Sequence, residues 1–191
     1  REEAIDCISS KAPASSIFVS TTGMASRELY EIREKHRLSH ESDFLTVGSM
    51  GHTSQIALGI ALVRKDRQVY CLDGDGATLM HLGGMAIIGS KKPRNYCHII
   101  LNNGSHDSVG GQPTVARDVD LVQAALALGY ESAVQVSTKK ELEAALEENT
   151  RSLRCIEVLV KRGNRKDLGR PKSTPSENKH AFMRYMAEGS K

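Results

Sequence analysis

The sequence predicts an α/β domain of three layers, in which helices cover both faces of a mainly parallel, six-stranded sheet. Two observations lead to this fold class. About six short apolar runs alternate along the chain with segments whose apolar residues recur at helical spacing. Several of these runs end in glycine-rich or asparagine-rich turns, which is typical of the carboxyl ends of parallel strands. With 191 residues, 39% of them hydrophobic and 26% charged, the chain is long enough to bury its own core.

Two strand and helix pairs are predicted in the first third of the chain. Residues 17–20 form a strand that leads into Thr21-Thr22-Gly23, and residues 44–47 form one that leads into Gly48-Ser49-Met50-Gly51. Helical periodicity follows each turn: Leu29, Ile32 and His36 mark one face of the first helix, and Ile56, Ile60 and Val63 are predicted to point inward in the second. The turn after the first strand is either an anion-facing helix start or an ordinary loop.

The most informative stretch is residues 70–105. A strand at residues 69–72 precedes Gly74-Asp75-Gly76, and a second strand ends at Asn102-Asn103-Gly104. Between them a helix is predicted to begin near Ala77 and to present Leu79, Leu82 and Ala86 on one face. Because parallel strands end at the same edge of a sheet, we expect Asp75 and Asn103 to share one cation.

That pairing has a chemical logic. A carboxylate and an amide oxygen suit a hard cation such as Mg²⁺ and leave coordination positions for phosphate oxygens. Gly74 and Gly76 allow a sharp turn and close approach of a ligand. Two other interpretations are an ordinary turn in a strand–helix–strand crossover and a nicotinamide site. The second is disfavoured because GDGATL has no third fingerprint glycine and the next strand does not end in an acidic residue.

The alternation continues after a loop. Residues 104–114 contain three glycines, one proline and no periodicity, which favours a functional loop. Beyond it, a helix is predicted from Asp120 to Leu128 that stops at Gly129, followed by a strand with Val134 and Val136. A second helix begins with a Thr138–Glu141 capping box and has Leu142 and Leu146 on its inward face. The last strand is predicted at 155–160.

The last segment of the chain differs in charge. Residues 161–191 hold nine Lys or Arg against three Asp or Glu. We predict an α/β domain over residues 1–160 and a basic arm with a short helix over 161–191, in which Phe182 and Tyr185 pack on this domain or on a neighbouring surface. Nucleic acid is disfavoured as a partner, because the chain has few aromatic residues to stack on bases and no recognised motif.

Cysteine usage and hydropathy predict the compartment. The four cysteines show no CxxC spacing, and three lie in or beside apolar runs, so we expect buried free thiols in a reducing cytoplasm. No apolar run approaches the roughly 18 residues of a membrane span, and no secretory signal appears at the start. The sequence therefore predicts a cytoplasmic location and no membrane partner.

Five segments resemble a known family: TTGMASRELYEIRE, DFLTVGSMGHTSQIALGIAL, CLDGDGATLMHLGG, LNNGSHDSVGGQPT and RPKSTPSENKHAFM. Nearly the whole chain resembles the diphosphate-binding domain of thiamine diphosphate dependent decarboxylases, and these segments resemble in particular the phosphonopyruvate decarboxylases. The resemblance implies the thiamine diphosphate-binding fold and a carboxy-lyase that converts 3-phosphonopyruvate to phosphonoacetaldehyde and CO₂. The β subunit of sulfopyruvate decarboxylase, which shares SREL, GSMG and GDG, is the alternative.

The resemblance also implies roles for residues that match the motifs. Mg²⁺ would be bound by Asp75, Asn103 and the backbone carbonyl of Ser105. The implied cofactor-binding residues are Thr22, Gly23, Gly48, Ser49, Met50, Gly74, Asp75, Gly76, Ala77 and Asn103. The Gly76 and Ala77 amides would hold the diphosphate, and the Met50 side chain would support the bent conformation of thiamine diphosphate. For Met50 a plain core position is the other interpretation.

Two histidines and one carboxylate complete the candidate catalytic set with Met50. His52 follows GSMG, and His106 with Asp107 follows the metal-binding NNG, so both histidines are expected near the cofactor. A protonated histidine oriented by Asp107 would bind the phosphonate or transfer a proton. The alternative is that His52 packs its helix and His106 orders its loop.

The resemblance implies that half of the active site lies elsewhere. In these enzymes a separate pyrimidine-binding domain, usually of a neighbouring subunit, contributes a glutamate, and no segment of this sequence resembles it. We expect a pyrimidine-binding domain or subunit as partner, a homo-oligomer, and a small 2-oxo acid as substrate. A cofactor-binding fragment without catalysis is the remaining alternative.

Overall fold

Six strands form one sheet in the computed structural model, which describes residues 1–148 and 151–188. The strands are β1 (Ile17–Ser20), β2 (Asp43–Leu45), β3 (Val69–Gly74), β4 (Tyr96–Asn102), β5 (Ser132–Val136) and β6 (Arg154–Leu159). Their order is β2-β1-β3-β4-β6-β5, and all five pairings are parallel. The predicted six-stranded sheet is confirmed.

Helices cover both faces of this sheet. They are α1 (Glu2–Lys11), α2 (Met24–His36), α3 (Thr53–Val63), α4 (Asp75–Met80), α5 (Gly83–Lys91), α6 (Leu121–Ala127), α7 (Lys139–Glu147) and α8 (Pro175–Glu188), with a 3-10 turn at Asp107–Val109. One apolar core joins α1, α2 and α7 to the sheet, and a second joins α3, α5, α6 and α8 to its other face. The three-layer prediction therefore holds.

The strands show why both cores form. Ile17 and Val19 of β1 belong to one core, and Phe18 between them belongs to the other. This is the alternation that a pleated strand imposes on successive side chains. Because helices cover both faces of the sheet, the side chains on both faces are apolar. The strands therefore appear in the sequence as continuous apolar runs.

One predicted helix is divided in the structure. Apolar spacing predicts one helix with Leu79, Leu82 and Ala86 on one face, but α4 ends at Met80 and α5 begins at Gly83. Two successive glycines at the start of α5 carry a high conformational cost in a helix interior, which favours a break there. The helix also begins earlier than predicted, at Asp75.

The predicted inward face of α3 is wrong at its end. Val63 is 77% exposed, whereas Ala57 and Ala61 are buried against the sheet. Small side chains let this helix lie close to β1 and β3, and the larger Ile56 and Ile60 are only partly buried. Apolar periodicity indicated the helix correctly, but side-chain size decided which residues face inward.

Helix α1, for which the sequence analysis makes no prediction, explains a second difference. Ile5 and Ile8 of α1 are fully buried against α2 and α7. His36, predicted to share a face of α2 with Leu29 and Ile32, is exposed, and its Nε2 lies 2.7 Å from Asp6 of α1. The end of α2 is therefore held by a polar contact.

Helix α8 closes the edge of the sheet at β2. The Asn178 side chain accepts a hydrogen bond from the Leu45 amide and donates one to the Asp43 carbonyl, as a neighbouring strand would. Phe182 is 5% exposed, and its ring packs edge-on against Phe44 with centroids 5.4 Å apart. The basic arm thus packs on the same domain, while residues 189–191 lie outside the described residues.

The cysteines confirm one prediction. All four are free and buried, and burial raises the pKa of the Cys97 thiol to about 11. Among the described helices, none has both the length and the apolar character that crossing a bilayer requires.

Candidate functional site

The strand order places a crevice between β1 and β3. Helix α2 joins β1 to β2 on one side, whereas β3 pairs with the opposite side of β1. Open parallel sheets bind ligands at such changes of direction, beyond the carboxyl ends of the strands. Residues 21–22, 74–77 and 103–108 meet there around a cavity of about 60 Å³, here called the Asp75 cavity.

Three predicted oxygen ligands lie in this cavity. Asp75, Asn103 and Ser105 are each at most 6% exposed, and all three line it. The Asp75 carboxylate accepts a hydrogen bond of 2.5 Å from the Thr114 hydroxyl. The Asn103 side-chain oxygen accepts one of 3.0 Å from the Ser105 amide. The fold therefore brings together the carboxylate and the amide that the sequence placed at two separate strand ends.

The cavity fits a hard cation and an anion. Carboxylate, amide and carbonyl oxygens are the ligands that Mg²⁺ prefers. The Thr21 hydroxyl, which also lines the cavity, is buried without a hydrogen-bond partner among the described residues. A buried hydroxyl of this kind costs free energy unless a ligand or water satisfies it. The residues present thus fit Mg²⁺ together with a phosphate-bearing ligand.

The loop that follows β4 leaves no room for a side chain at Gly76. A Cβ at Gly76 would lie 2.4 Å from Cε1 of His106 and 2.6 Å from its Nδ1. Only glycine leaves room for this ring beside the first turn of α4. His106 therefore lies next to Gly76 of the GDG turn, at the edge of the Asp75 cavity.

Asp107 has partners that the sequence analysis did not anticipate. Its carboxylate accepts hydrogen bonds from the Asn103 side chain (2.7 Å), the Gly163 amide (2.8 Å) and Arg1 (3.2 Å). Burial by itself would raise the pKa of this carboxylate, but hydrogen bonds from Gly163, Ser105 and Arg1 outweigh it and lower the pKa. Within the described part of the chain, Asp107 is thus a partner of Asn103, and no hydrogen bond joins it to His106.

His52 lies in another place. It is exposed at the start of α3, and its ring lies 4.4 Å from the ring of His81, measured between centroids. Both residues line a separate surface cavity with Gly83 and Gly84. The structure brings His106 into the Asp75 cavity and leaves His52 outside it.

The GSMG turn after β2 contains three residues in the left-handed backbone conformation. Gly48, Ser49 and Gly51 all have positive φ, which for Ser49 (φ 47°) is an uncommon, strained conformation. The Gly48 amide donates to the Thr22 hydroxyl at 3.1 Å, which ties this turn to the turn after β1. Met50 lines the Asp75 cavity.

Gly23 immediately precedes α2 and packs against Ser108. The Cβ of Ser108 would lie 2.9 Å from a Cβ at this position.

Sequence reasoning missed several residues of the site. Thr114, the partner of Asp75, lies in the loop recognised as functional, but its role depends on how that loop folds back. Arg162 donates to the carbonyl of Gly104 at 3.0 Å, so the segment after β6 holds the NNG loop. The Arg1 side chain joins Asp107 to Glu28. These contacts span 27 residues or more and leave no local signal.

Comparison with known proteins defines the class. The chain belongs to the thiamine pyrophosphate (thiamine diphosphate) enzyme family, whose C-terminal TPP binding domain matches residues 19–158. This span includes the three turns of the Asp75 cavity and all six strands, apart from the first two residues of β1 and the last residue of β6. The predicted resemblance to thiamine diphosphate dependent enzymes is confirmed.

Among curated relatives, a phosphonopyruvate decarboxylase of Streptomyces viridochromogenes is 36% identical over 188 residues, which are 97% of this chain and 46% of that protein. A sulfopyruvate decarboxylase subunit beta of Methanocaldococcus jannaschii is 35% identical over 76% of this chain and 74% of that subunit. The chain thus spans about half the length of the phosphonopyruvate decarboxylases it matches.

A solved structure supports the fold. The benzoylformate decarboxylase of Polynucleobacter necessarius superposes with a TM-score of 0.73 at 18% identity, over 86% of this chain and 33% of that one. At this level of identity the likeness concerns the fold alone. It confirms the predicted thiamine diphosphate-binding fold.

Proposed function

We propose that this chain is the diphosphate-binding half of a thiamine diphosphate dependent decarboxylase that converts 3-phosphonopyruvate to phosphonoacetaldehyde and CO₂. One observation carries the proposal: Asp75, Asn103 and Ser105 line one buried cavity at the crevice between β1 and β3, beside the glycine-rich start of α4. The match to phosphonopyruvate decarboxylases over 97% of the chain supports the substrate.

In this proposal the chain's residues bind and orient the reacting groups. Asp75, Asn103 and the Ser105 carbonyl hold Mg²⁺, and the Gly76 and Ala77 amides hold the diphosphate. When bound, thiamine diphosphate would supply a nucleophilic carbon and an electron sink for the decarboxylation of a 2-oxo acid.

The other predicted residues position the cofactor and manage protons. The Gly48 carbonyl and the Met50 amide bind the aminopyrimidine, and the Met50 side chain supports the ring system. Thr22 and Gly23 contribute to the same turn region, with Ser49 holding its bend. His106 delivers the proton that replaces CO₂, because it borders the Asp75 cavity.

The proposal requires a second half. We propose that a pyrimidine-binding domain or subunit completes the site and that the assembly is a homo-oligomer. The coverage of only 46% of the phosphonopyruvate decarboxylases supports a missing domain. The four free thiols fit a reducing, cytoplasmic compartment.

A second candidate is the β subunit of a sulfopyruvate decarboxylase. The observation in its favour is that this chain covers 74% of such a subunit. It is the weaker candidate, because that match spans 76% of this chain against 97% for the phosphonate enzyme.

The experiment is a coupled assay of phosphonoacetaldehyde release by the chain together with a pyrimidine-binding domain, supplied in cis or in trans. We expect turnover of 3-phosphonopyruvate that depends on thiamine diphosphate and Mg²⁺, and no turnover by the chain alone. Faster turnover of 3-sulfopyruvate would favour the second candidate. Robust turnover by the chain alone would contradict the proposed division of the active site.

A further inference from the structure

A second cavity adjoins the Asp75 cavity. It has a volume of about 560 Å³ and lies between the start of α2, the GSMG turn and residues 170–178. Thr22, Met50 and Ser108 line both cavities. The two spaces are therefore neighbours separated by these three side chains, and we call the larger one the Arg27 cavity.

The Arg27 cavity carries positive charge. Arg27 and Arg170 line it, and within the described residues its lining includes no Asp, Glu or Lys. Several hydroxyl-bearing side chains complete the wall, among them Ser49, Ser108 and Ser173. Two guanidinium groups and hydroxyl donors, without a carboxylate to neutralise them, favour an anionic ligand.

These two arginines differ from others in the fold. Arg33 pairs with the buried Asp43, and Arg1 pairs with Glu28. By contrast, neither Arg27 nor Arg170 makes a hydrogen bond or an ion pair with any described residue. A half-buried guanidinium such as Arg27 retains five donors for a ligand.

We propose that Arg27 and Arg170 bind the phosphonate group of the substrate and so determine specificity. The inference rests on the proposed function and names the part of the site that recognises the anionic end of the substrate. Met50 borders both cavities, so a substrate that reacts beside Met50 reaches the Arg27 cavity with its other end. A guanidinium binds the oxygens of a phosphonate in a bidentate manner, which a lysine cannot reproduce.

This assignment separates two roles that the sequence analysis gave to one residue. His106 lines the Asp75 cavity and is not part of the Arg27 cavity wall. Proton delivery beside the cofactor therefore belongs to His106. Recognition of the phosphonate belongs to the two arginines.

The first test measures binding without turnover. The affinity of the chain for 3-phosphonopropionate, with thiamine diphosphate and Mg²⁺ present, is measured by calorimetry for wild type, Arg27→Gln and Arg170→Gln. We expect a loss of about 10- to 100-fold in each variant, the range for a charge-assisted hydrogen bond. Arg94→Gln is the matched control, because Arg94 is an exposed arginine just before the amino end of β4, whereas the two cavities lie beyond the carboxyl ends of the strands.

Two further ligands sharpen the result. Propionate, which lacks the second anion, should bind all four proteins equally. Tighter binding of 3-sulfopropionate than of 3-phosphonopropionate would overturn the assignment to phosphonate. Unchanged affinity for 3-phosphonopropionate in both arginine variants would overturn the inference, as would an equal loss in Arg94→Gln.

The second test uses the chain completed with a pyrimidine-binding domain. We expect kcat/KM for 3-phosphonopyruvate to fall about 10- to 100-fold in either variant, while kcat/KM for pyruvate changes less than about threefold. Equal losses for both substrates would overturn the inference. If the completed wild type decarboxylates neither substrate yet binds 3-phosphonopropionate through these arginines, the proposed function fails and the anion site stands.

Discussion

The loops around Asp75 and the helix α8 are attached to the same sheet by different kinds of contact. At the carboxyl ends of the strands, the Asn103 amide bonds to Asp107 and the Thr114 hydroxyl bonds to Asp75. At the β2 edge, α8 contributes the buried ring of Phe182 and the two backbone-directed hydrogen bonds of Asn178. The first region is held by polar side chains around a cavity, and the second by apolar burial and strand-like pairing.

This difference predicts how substitutions in each region affect ligand binding and stability. Polar contacts between loops add little to net stability, because they replace hydrogen bonds to water, but they fix the orientation of ligand atoms. Apolar burial adds stability in proportion to the area removed from water. Substitutions in the Asp75 cavity should therefore change binding with little effect on unfolding, and substitutions in α8 should do the reverse.

The largest expected effect is at Asp75. Asp75→Ala removes the carboxylate from the oxygen set and should abolish Mg²⁺-dependent binding of thiamine diphosphate. The loss should exceed about 100-fold, because even partners outside the ligand shell cost 10- to 100-fold. Calorimetry with and without EDTA measures it, and EDTA should reproduce the effect in wild type.

The matched control for that substitution is Asp118→Ala, because Asp118 is exposed outside the Asp75 cavity. It should bind normally. Binding that persists without metal in Asp75→Ala would contradict the metal site.

The second effect tests the other region. Phe182→Ala should lower the free energy of unfolding by about 3 kcal/mol, because it removes a buried ring that packs on Phe44 and leaves a cavity. Chemical denaturation measures the change, with Met183→Ala, an exposed neighbour on α8, as control. A loss below about 1 kcal/mol would mean that α8 contributes little to the core.

The third effect concerns the orientation of the Asn103 side chain, a proposed metal ligand. Asp107→Ala removes the acceptor that holds the Asn103 amide nitrogen, so the amide can turn its nitrogen toward the cation. We expect Mg²⁺-dependent affinity for thiamine diphosphate to fall about 10-fold. Asp107→Asn, which keeps an acceptor oxygen, should restore part of it. If Asp107→Ala binds as wild type does while unfolding more easily, the residue is structural only.

The smallest effect is at the sheet edge. Asn178→Ala leaves the Leu45 amide and the Asp43 carbonyl without their side-chain partner, and should cost about 1–2 kcal/mol of unfolding free energy. Hydrogen exchange of the Leu45 amide should accelerate in parallel. Slow exchange at that amide in the variant would show that another group protects the edge.

Prediction from sequence succeeded where the signal is local. The Thr138–Glu141 capping box and the stop at Gly129 (φ 100°) occur as predicted, because each depends on residues within one helical turn. The spacing of Asp75 and Asn103 also sufficed to predict their meeting, since two parallel strands joined by a helical crossover end at the same edge. The prediction that Val63 faces inward was wrong, because apolar periodicity carries no information on side-chain size.

The sequence by itself determined the α/β class, the strand-end turns and the meeting of Asp75 with Asn103. Only the tertiary structure decided that Asp107 bonds to Asn103, that the ring of His52 lies beside that of His81, and that Arg27 and Arg170 line one cavity. The reason is physical. These contacts depend on where loops fold after the strand order is set, and β1 lies between β2 and β3 through pairings of residues distant in the chain, which local periodicity does not encode.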